Sequence, residues 1–286
     1  MCTAFRLGRL FGRTLDLEYD LGQGAILSKV DGADIFGMAI RRGGEALYFD
    51  AVSSRGLAGA ALNFAGFAHY GKAVRGKINI PSHRVLTRVL AGCSTVKEAS
   101  RLLREINITH EDFSAELKAT PLHFAFADKH GSIVAEQTEQ GMQVYDNPVD
   151  VLTNAPTFPQ QLLNLSNYMQ ISASQPQNNM CSSVQLSQYC RGLGGFGLPG
   201  DNSSQSRFVR GVFTLKNALA GENDRERLAQ FFHIAGAVSQ VKGCNRLDNG
   251  EQVYTVYTSC YDLEGGICYY TTYDDPSIRQ VMTCQL

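Results

Sequence analysis

Strand-like and helix-like stretches fall in separate clusters along this 286-residue chain, and that clustering restricts the fold more than any other feature. β-Formers dominate residues 2–7 and 10–16, with Gly8-Arg9 between them, where glycine at the first turn position suits a tight type II′ hairpin. Further strands are expected over Gly24–Val30, Ala46–Val52 and Gly56–Phe64. The last run is so rich in Gly and Ala that another layer must approach it closely. Helical signals follow. Pro81 suits the first turn of a helix to about Leu90, and Thr95-Val-Lys-Glu98 reads as a capping box before a face of Ala99, Leu102, Leu103 and Ile106.

Strands return at 122–127, 132–136 and 142–145, with Lys129-His-Gly131 as a turn, and an extended piece runs from Val151 to Pro156. Helices are expected at about 160–169, 206–219 and 224–238. Residues 172–187 read as a surface loop. The end alternates again at 252–258 and 267–273 around Glu264-Gly-Gly266. This order predicts an α+β domain of two stacked, mainly antiparallel sheets with helices outside them. No linker divides the chain, so residues 1–286 are read as one domain.

The chemistry concentrates at Cys2. If Met1 is removed, this residue carries a thiol and a free amine together. With reference pKa values of about 8.5 and 8, the amine can take the thiol's proton without a distant histidine. Folding the hairpin brings residues 13–16 beside Cys2, so Arg13 and Asp16 fall near the thiol in any register. A guanidinium there would favour the thiolate and a carboxylate would hold the terminal ammonium. The same two residues also fit a solvated pair at the edge of an ordinary hairpin.

Exclusions are equally informative. A net charge of -1 with 19% charged residues, and no Lys/Arg cluster, points away from nucleic acid and towards a small-molecule partner. No apolar run of about 18 residues and no leader-like segment is present, so neither a membrane span nor a signal peptide is expected, and the protein is placed in the cytoplasm. The eight cysteines (2, 93, 181, 190, 244, 260, 268, 284) include no Cys-x-x-Cys, and the six histidines include no i, i+4 pair. No metal is expected. Gly192-Leu-Gly-Gly-Phe-Gly197 matches a nucleotide-binding glycine pattern, but no strong strand precedes it and Pro199 follows where a helix should start. It reads as a glycine loop.

Several spaced motifs resemble one family, in family order, over nearly the whole chain. They are Met1-Cys-Thr3, Phe11-Gly-Arg-Thr-Leu-Asp16, Gly56–Phe64, Val151-Leu-Thr-Asn-Ala-Pro-Thr-Phe158, Gly197-Leu-Pro-Gly-Asp201, Ser206-Arg-Phe-Val-Arg210 and Thr272-Tyr-Asp-Asp275. The sequence is similar to the choloylglycine hydrolases, the bile salt hydrolases and penicillin V acylases of the N-terminal-nucleophile superfamily. That resemblance implies a four-layer αββα fold, amide hydrolysis, no cofactor and a homo-oligomer, by family a tetramer.

It also implies roles. Cys2 matches the nucleophile, with its α-amine as base, and Arg13 and Asp16 match the pair beside it. Asn154 matches the side-chain donor of the oxyanion hole, and Asn63 the position whose backbone N–H completes it. Arg207 matches the arginine that stabilises the constellation. Without the resemblance, Asn154 also fits a turn residue and Arg207 a helix-surface arginine.

Many penicillin V acylases carry Tyr where this chain has Asn63 and bile salt hydrolases carry Asn, so conjugated bile salts are the expected substrates. By position, Leu15, Phe49 and Phe64 are the expected pocket residues. The opening hairpin and the segment between Ile26 and Ala46 are shorter than is usual in the family, and the chain stops soon after Asp275. Alternatives are an acylase for penicillin V or N-acyl homoserine lactones with the same mechanism, a glutaminase domain, whose sequences usually continue Cys-Gly, and a non-catalytic ligand-binding protein with an inert Cys2.

Overall fold

The computed structural model describes residues 1–282; Cys284 lies outside the described residues. Strands β1 (Cys2–Leu7) and β2 (Leu10–Leu17) form the opening hairpin, turning at Gly8 with φ 60°. They are followed by β3 (Gly24–Val30), β4 (Ala33–Arg42), β5 (Glu45–Ser53), β6 (Ala58–Asn63) and β7 (Ile78–Pro81). Helices α1 (Ser82–Gly92) and α2 (Val96–Glu105) come next, then β8 (Ile106–Thr109), β9 (Leu122–Ala127), β10 (Ser132–Thr138), β11 (Gly141–Asp146) and β12 (Val151–Leu152). The chain continues with α3 (Phe158–Asn164), α4 (Ser204–Asn217), α5 (Asp224–Gly236), β13 (Tyr254–Asp262), β14 (Ile267–Thr272) and β15 (Arg279–Met282).

Six strands form one antiparallel sheet in the order β12-β1-β2-β13-β14-β15, and seven form a second in the order β11-β10-β9-β6-β5-β4-β3. Helices α4 and α5 cover the first sheet, α1 and α2 the second, and the sheets face each other in the middle. This is the αββα arrangement expected from the clustering of periods.

The small-residue strand shows why the layers fit. Ala58, Ala60 and Leu62 of β6 pack towards the first sheet, and Gly59 and Ala61 lie under α1. A Cβ on Gly59 would come within 2.8 Å of Leu86 in α1 and 2.6 Å of Phe126. Gly12 has the same role within the first sheet, since a Cβ there would stand 1.9 Å from the Ser259 carbonyl oxygen of β13.

Several boundaries differ from expectation. Strand β4 was not anticipated: its run Ile35-Phe-Gly-Met-Ala-Ile40 is buried on both faces, so it shows no alternation. The short parallel pair β7 and β8, and the edge strand β15, were also missed. Pro81 lies at the N-cap of α1 rather than inside its first turn. Thr95 caps Glu98 N–H at 3.2 Å, but the Glu98 carboxylate turns back to Ser94 N, so the capping box is only half made. Helix α3 begins two residues earlier than expected, with Thr157 and Gln160 forming a capping box instead. Ile106 starts β8 rather than ending α2.

Candidate active site

The register of the opening hairpin decides what surrounds Cys2. Cys2 pairs with Leu15 and Ala4 with Arg13, so these four side chains share one face of the sheet. On β13, Tyr257, Ser259 and Tyr261 pair with Leu15, Arg13 and Phe11, and so share that face too. It is the face turned to the second sheet. Thr3, Thr14 and Asp16 point the other way, under the helices.

Arg13 and Asp16 are three residues apart and therefore leave β2 on opposite faces. The hairpin alone places both near residue 2, but pleating separates them into two charged layers. Arg13, fully buried, crosses towards the second sheet and donates to the carbonyls of Phe49 at 3.1 Å and Ala61 at 2.6 Å. Its counter-charge is Asp50 of β5 at 3.9 Å. Asp50 in turn accepts from Ser259 Oγ at 2.8 Å, Tyr261 Oη at 2.5 Å and Tyr257 Oη. Burial pushes the Asp50 carboxyl up despite Arg13 and these hydroxyl donors, and pushes both tyrosines well up. Burial also opposes the charge on Arg13, but Cys2, Tyr257, Asp50 and Asp16 outweigh it and raise that guanidinium. Arg13 Nη2 is buried and finds no partner among the described residues.

On the helix face, Asp16 accepts from Gln240 Nε2 at 2.8 Å and Thr255 Oγ1 at 2.6 Å, and lies 3.9 Å from Arg207. Arg207 projects from the first turns of α4, where the Ser203 side chain accepts the Ser206 N–H. Its guanidinium donates to Cys2 O at 2.6 Å, Thr3 Oγ1 at 2.7 Å and Asn154 Oδ1 at 2.7 Å. Burial lowers Arg207, partly offset by Asp16 and Cys2. Two guanidiniums and two carboxylates are thus enclosed, all with fully buried side chains. Their formal charges cancel.

Asn154 ties the layers together. It follows β12, the two-residue strand that pairs with β1 at Ala4 and Phe5. Its Oδ1 accepts Cys2 N–H at 2.8 Å as well as Arg207, and its Nδ2 donates to Asn63 O at 2.8 Å. Asn63 ends β6 in the second sheet, exposed, with its own side chain accepting the Ala65 N–H at 2.9 Å. Cys2 itself is 3% exposed. Ahead of it, Met1 continues the hairpin: its amine donates to Asp16 O at 2.5 Å, and its carbonyl accepts Asp16 N–H at 2.9 Å.

Cys2, Arg13, Asp16, Asn63, Asn154 and Arg207 therefore come together from five separate stretches of chain. The apolar candidates are less uniform. Leu15 flanks Cys2 on the same face but is buried in the core, Phe64 is fully buried and stacked on His123, and only Phe49 retains partial exposure. Asp50 went unnoticed in the sequence, because its partners on β13 lie more than two hundred residues away.

An amide-hydrolase family is what this fold and this cluster define, and the comparisons give it a name. The model of the linear amide C–N hydrolases of the choloylglycine hydrolase family matches residues 2–285. A bile salt hydrolase/transferase of Lactiplantibacillus plantarum is 41% identical, with 98% of this chain and 92% of the relative aligned. The C2A mutant of the conjugated bile acid hydrolase from Clostridium perfringens superposes with a TM-score of 0.91 at 33% identity, covering 99% of this chain and 92% of that one. A penicillin V acylase from Agrobacterium tumefaciens shares the fold, with a TM-score of 0.77 at 20% identity over 100% of this chain and 87% of its own. The chain belongs to the choloylglycine hydrolase family. No helix among the described residues is long and apolar enough to cross a membrane.

Proposed function

We propose that this protein cleaves the amide bond of glycine- or taurine-conjugated bile salts, with the Cys2 thiolate as nucleophile. The observation that carries the reading is the three-way role of Asn154, bonded to Cys2 N, Arg207 and Asn63 O. A carboxamide has two N–H donors, and Asn63 O uses one, so the second remains for a developing oxyanion beside Cys2. The L. plantarum and C. perfringens relatives, described as acting on bile salts, support the substrate class, as does asparagine at position 63.

In this mechanism Met1 is removed, which frees the backbone N–H and carbonyl of Asp16. The Cys2 α-amine takes the thiol proton, and the sulfur attacks the amide carbonyl. The negative oxygen is held by Asn154 Nδ2 and the backbone N–H of Asn63. Collapse expels glycine or taurine, which takes the proton from the α-ammonium, and water then hydrolyses the thioester to free acid and thiol. Arg207 fixes the carbonyl of Cys2 and the orientation of Asn154. Arg13 lends positive charge to the thiolate. Phe49, with Leu15 in the core cluster it packs against, forms part of the apolar wall, and Phe64 is assigned to the pocket by its position in the family motif.

We further propose a single catalytic domain over residues 1–286, a cytoplasmic location and a homotetramer. Exposed apolar side chains at Met180, Leu186, Tyr189 and Phe196 favour self-association, and sedimentation as a monomer would remove that part.

Purified enzyme assayed against glycine and taurine conjugates, penicillin V and an acyl homoserine lactone tests the substrate. Bile salts are expected to give the highest kcat/KM; penicillin V turned over at least as well overturns the bile-salt reading but leaves the Cys2 chemistry standing. Cys2→Ser should keep the fold and lose nearly all hydrolysis. Active protein retaining Met1 stoichiometrically by intact mass would contradict the amine-as-base mechanism.

A further inference from the structure

One buried ionisable pair lies outside the cluster around Cys2. His123 of β9 and Glu136 of β10 are fully enclosed, with Nδ1 of the ring 3.1 Å from Glu136 Oε1. The other ring nitrogen, Nε2, is 2.9 Å from the carbonyl oxygen of Thr153. Glu136 also accepts the N–H of Phe158 through both oxygens, at 3.0 and 3.1 Å. The Thr153 carbonyl can only accept, so Nε2 carries a proton and donates it.

The neighbours of this ring give it a function. Thr153 immediately precedes Asn154, whose side chain reaches Cys2 N and Asn63 O. The flat face of the imidazole lies on Phe64, with centroids 4.3 Å apart and planes 7° apart, and Phe64 immediately follows Asn63. One side chain thus holds both supports of the oxyanion hole. It fixes the segment carrying Asn154 by a hydrogen bond and the end of β6 by stacking, and Glu136 fixes the ring itself. Thr153 has its own anchor, an Oγ1 donation to Ser204 O at 3.0 Å, so its carbonyl presents a defined acceptor.

We propose that His123 is a positioning residue that sets the spacing between the Asn154 amide and the Asn63 backbone N–H, with Glu136 as its orienting partner. The inference rests on the oxyanion-hole reading above. Apart from the ring, one donor follows β12 of the first sheet and the other ends β6 of the second, and among the described residues the Asn154–Asn63 bond joins them directly. A misplacement of about 1 Å in such a site can cost about a hundredfold in rate.

The test uses His123→Phe, which keeps an aromatic ring on Phe64 but cannot donate to Thr153, and His123→Gln, which can. For His123→Phe, kcat on the best substrate is expected to fall about tenfold to a hundredfold, with KM within about threefold, the pattern of a lost transition-state interaction. His123→Gln should recover part of that loss.

Inactivation by iodoacetamide supplies the control, since alkylation of the Cys2 thiolate passes through no oxyanion; its rate should stay within about twofold of wild type in both variants. If His123→Phe is unstable because Glu136 is left unpaired, the double variant H123F/E136Q removes that charge and should show the same kcat loss. Wild-type kcat in His123→Phe or in the double variant overturns the proposal, as does an equal fall in kcat and alkylation rate, which would mean general disruption. Should alkylation of Cys2 fail to inactivate the wild type, the nucleophile assignment itself falls, an outcome separate from either.

Discussion

Replacing Arg207 with methionine should destabilise the protein well beyond the effect of an ordinary substitution. Methionine reproduces the aliphatic stem but no donor, so the bonds to Asn202 O at 3.1 Å, Cys2 O, Thr3 Oγ1 and Asn154 Oδ1 all go. Asn154 Oδ1 keeps Cys2 N, and Asp16 keeps Gln240 and Thr255. What cannot be replaced is the positive charge, since the enclosed set of two guanidiniums and two carboxylates then carries a net negative charge with no water to share it. Removing one partner of a buried pair typically costs about 3–5 kcal/mol. At about 2–4 °C per kcal/mol for a domain of this size, the melting temperature should fall by about 6–20 °C.

Urea unfolding of both proteins measures the cost directly, with the slope m showing whether the same surface is exposed. Asp16→Asn in the Arg207→Met background should restore at least about 1 kcal/mol, because it neutralises the stranded carboxylate. A loss below about 1 kcal/mol at unchanged m would refute the charge argument, and a double variant no better than the sum of its parts would show that Arg207 and Asp16 are not coupled.

Two further predictions probe other parts of the fold. Gly12→Ala forces a Cβ to within 1.9 Å of the Ser259 carbonyl oxygen and should cost about 1–3 kcal/mol or more, read by thermal denaturation; unchanged melting would mean that β2 and β13 can part freely. Hydrogen bonds from Ser203 and Ser206 hold the Asp201 carboxyl at about 2, below its ordinary 3.8. Its stabilisation of the start of α4 should be full above pH about 4 and lost as pH falls towards about 2, so the stability gap between wild type and Asp201→Asn should close over that range. A gap that widens on acidification has the wrong sign for this account.

The hairpin part of the candidate site could be read from sequence because it is local, whereas Asn63, Asn154 and Arg207 lie far along the chain and were named only through the family resemblance. The Gly8-Arg9 turn fixes the hairpin, and the hairpin brings residues 13–16 to Cys2. The opposite facing of Arg13 and Asp16 follows from strand alternation, but which of them shares the face of Cys2 is settled only by the register Cys2–Leu15. The Asp50 network was not readable, since it joins strands far apart in the chain; His123 and Glu136 are only thirteen residues apart on neighbouring strands, but the contacts of the ring with Thr153 and Phe64 come from distant segments. Strand β13 was read from the alternation at 252–258, but its continuation to Asp262 was not, because its residues are buried on both faces, one against the second sheet and the other under α5. Strand β4 hid for the same reason. Helix α3 was displaced by two residues because its start depends on Thr157 and Gln160 exchanging hydrogen bonds.

A chain end is usually where a fold frays first, and here it is among the best secured segments. Strand β1 is paired on both sides, by β2 and by β12, Phe5 stacks on Phe231 of α5 with centroids 4.3 Å apart, and Arg207 holds the carbonyl of Cys2. Peeling the first residues away would therefore open the first sheet and uncover α5 in the same event. A local loosening that spares the rest of the molecule has no route through these first residues, so the placement of Cys2 and the integrity of the two-sheet core rise and fall as one cooperative unit.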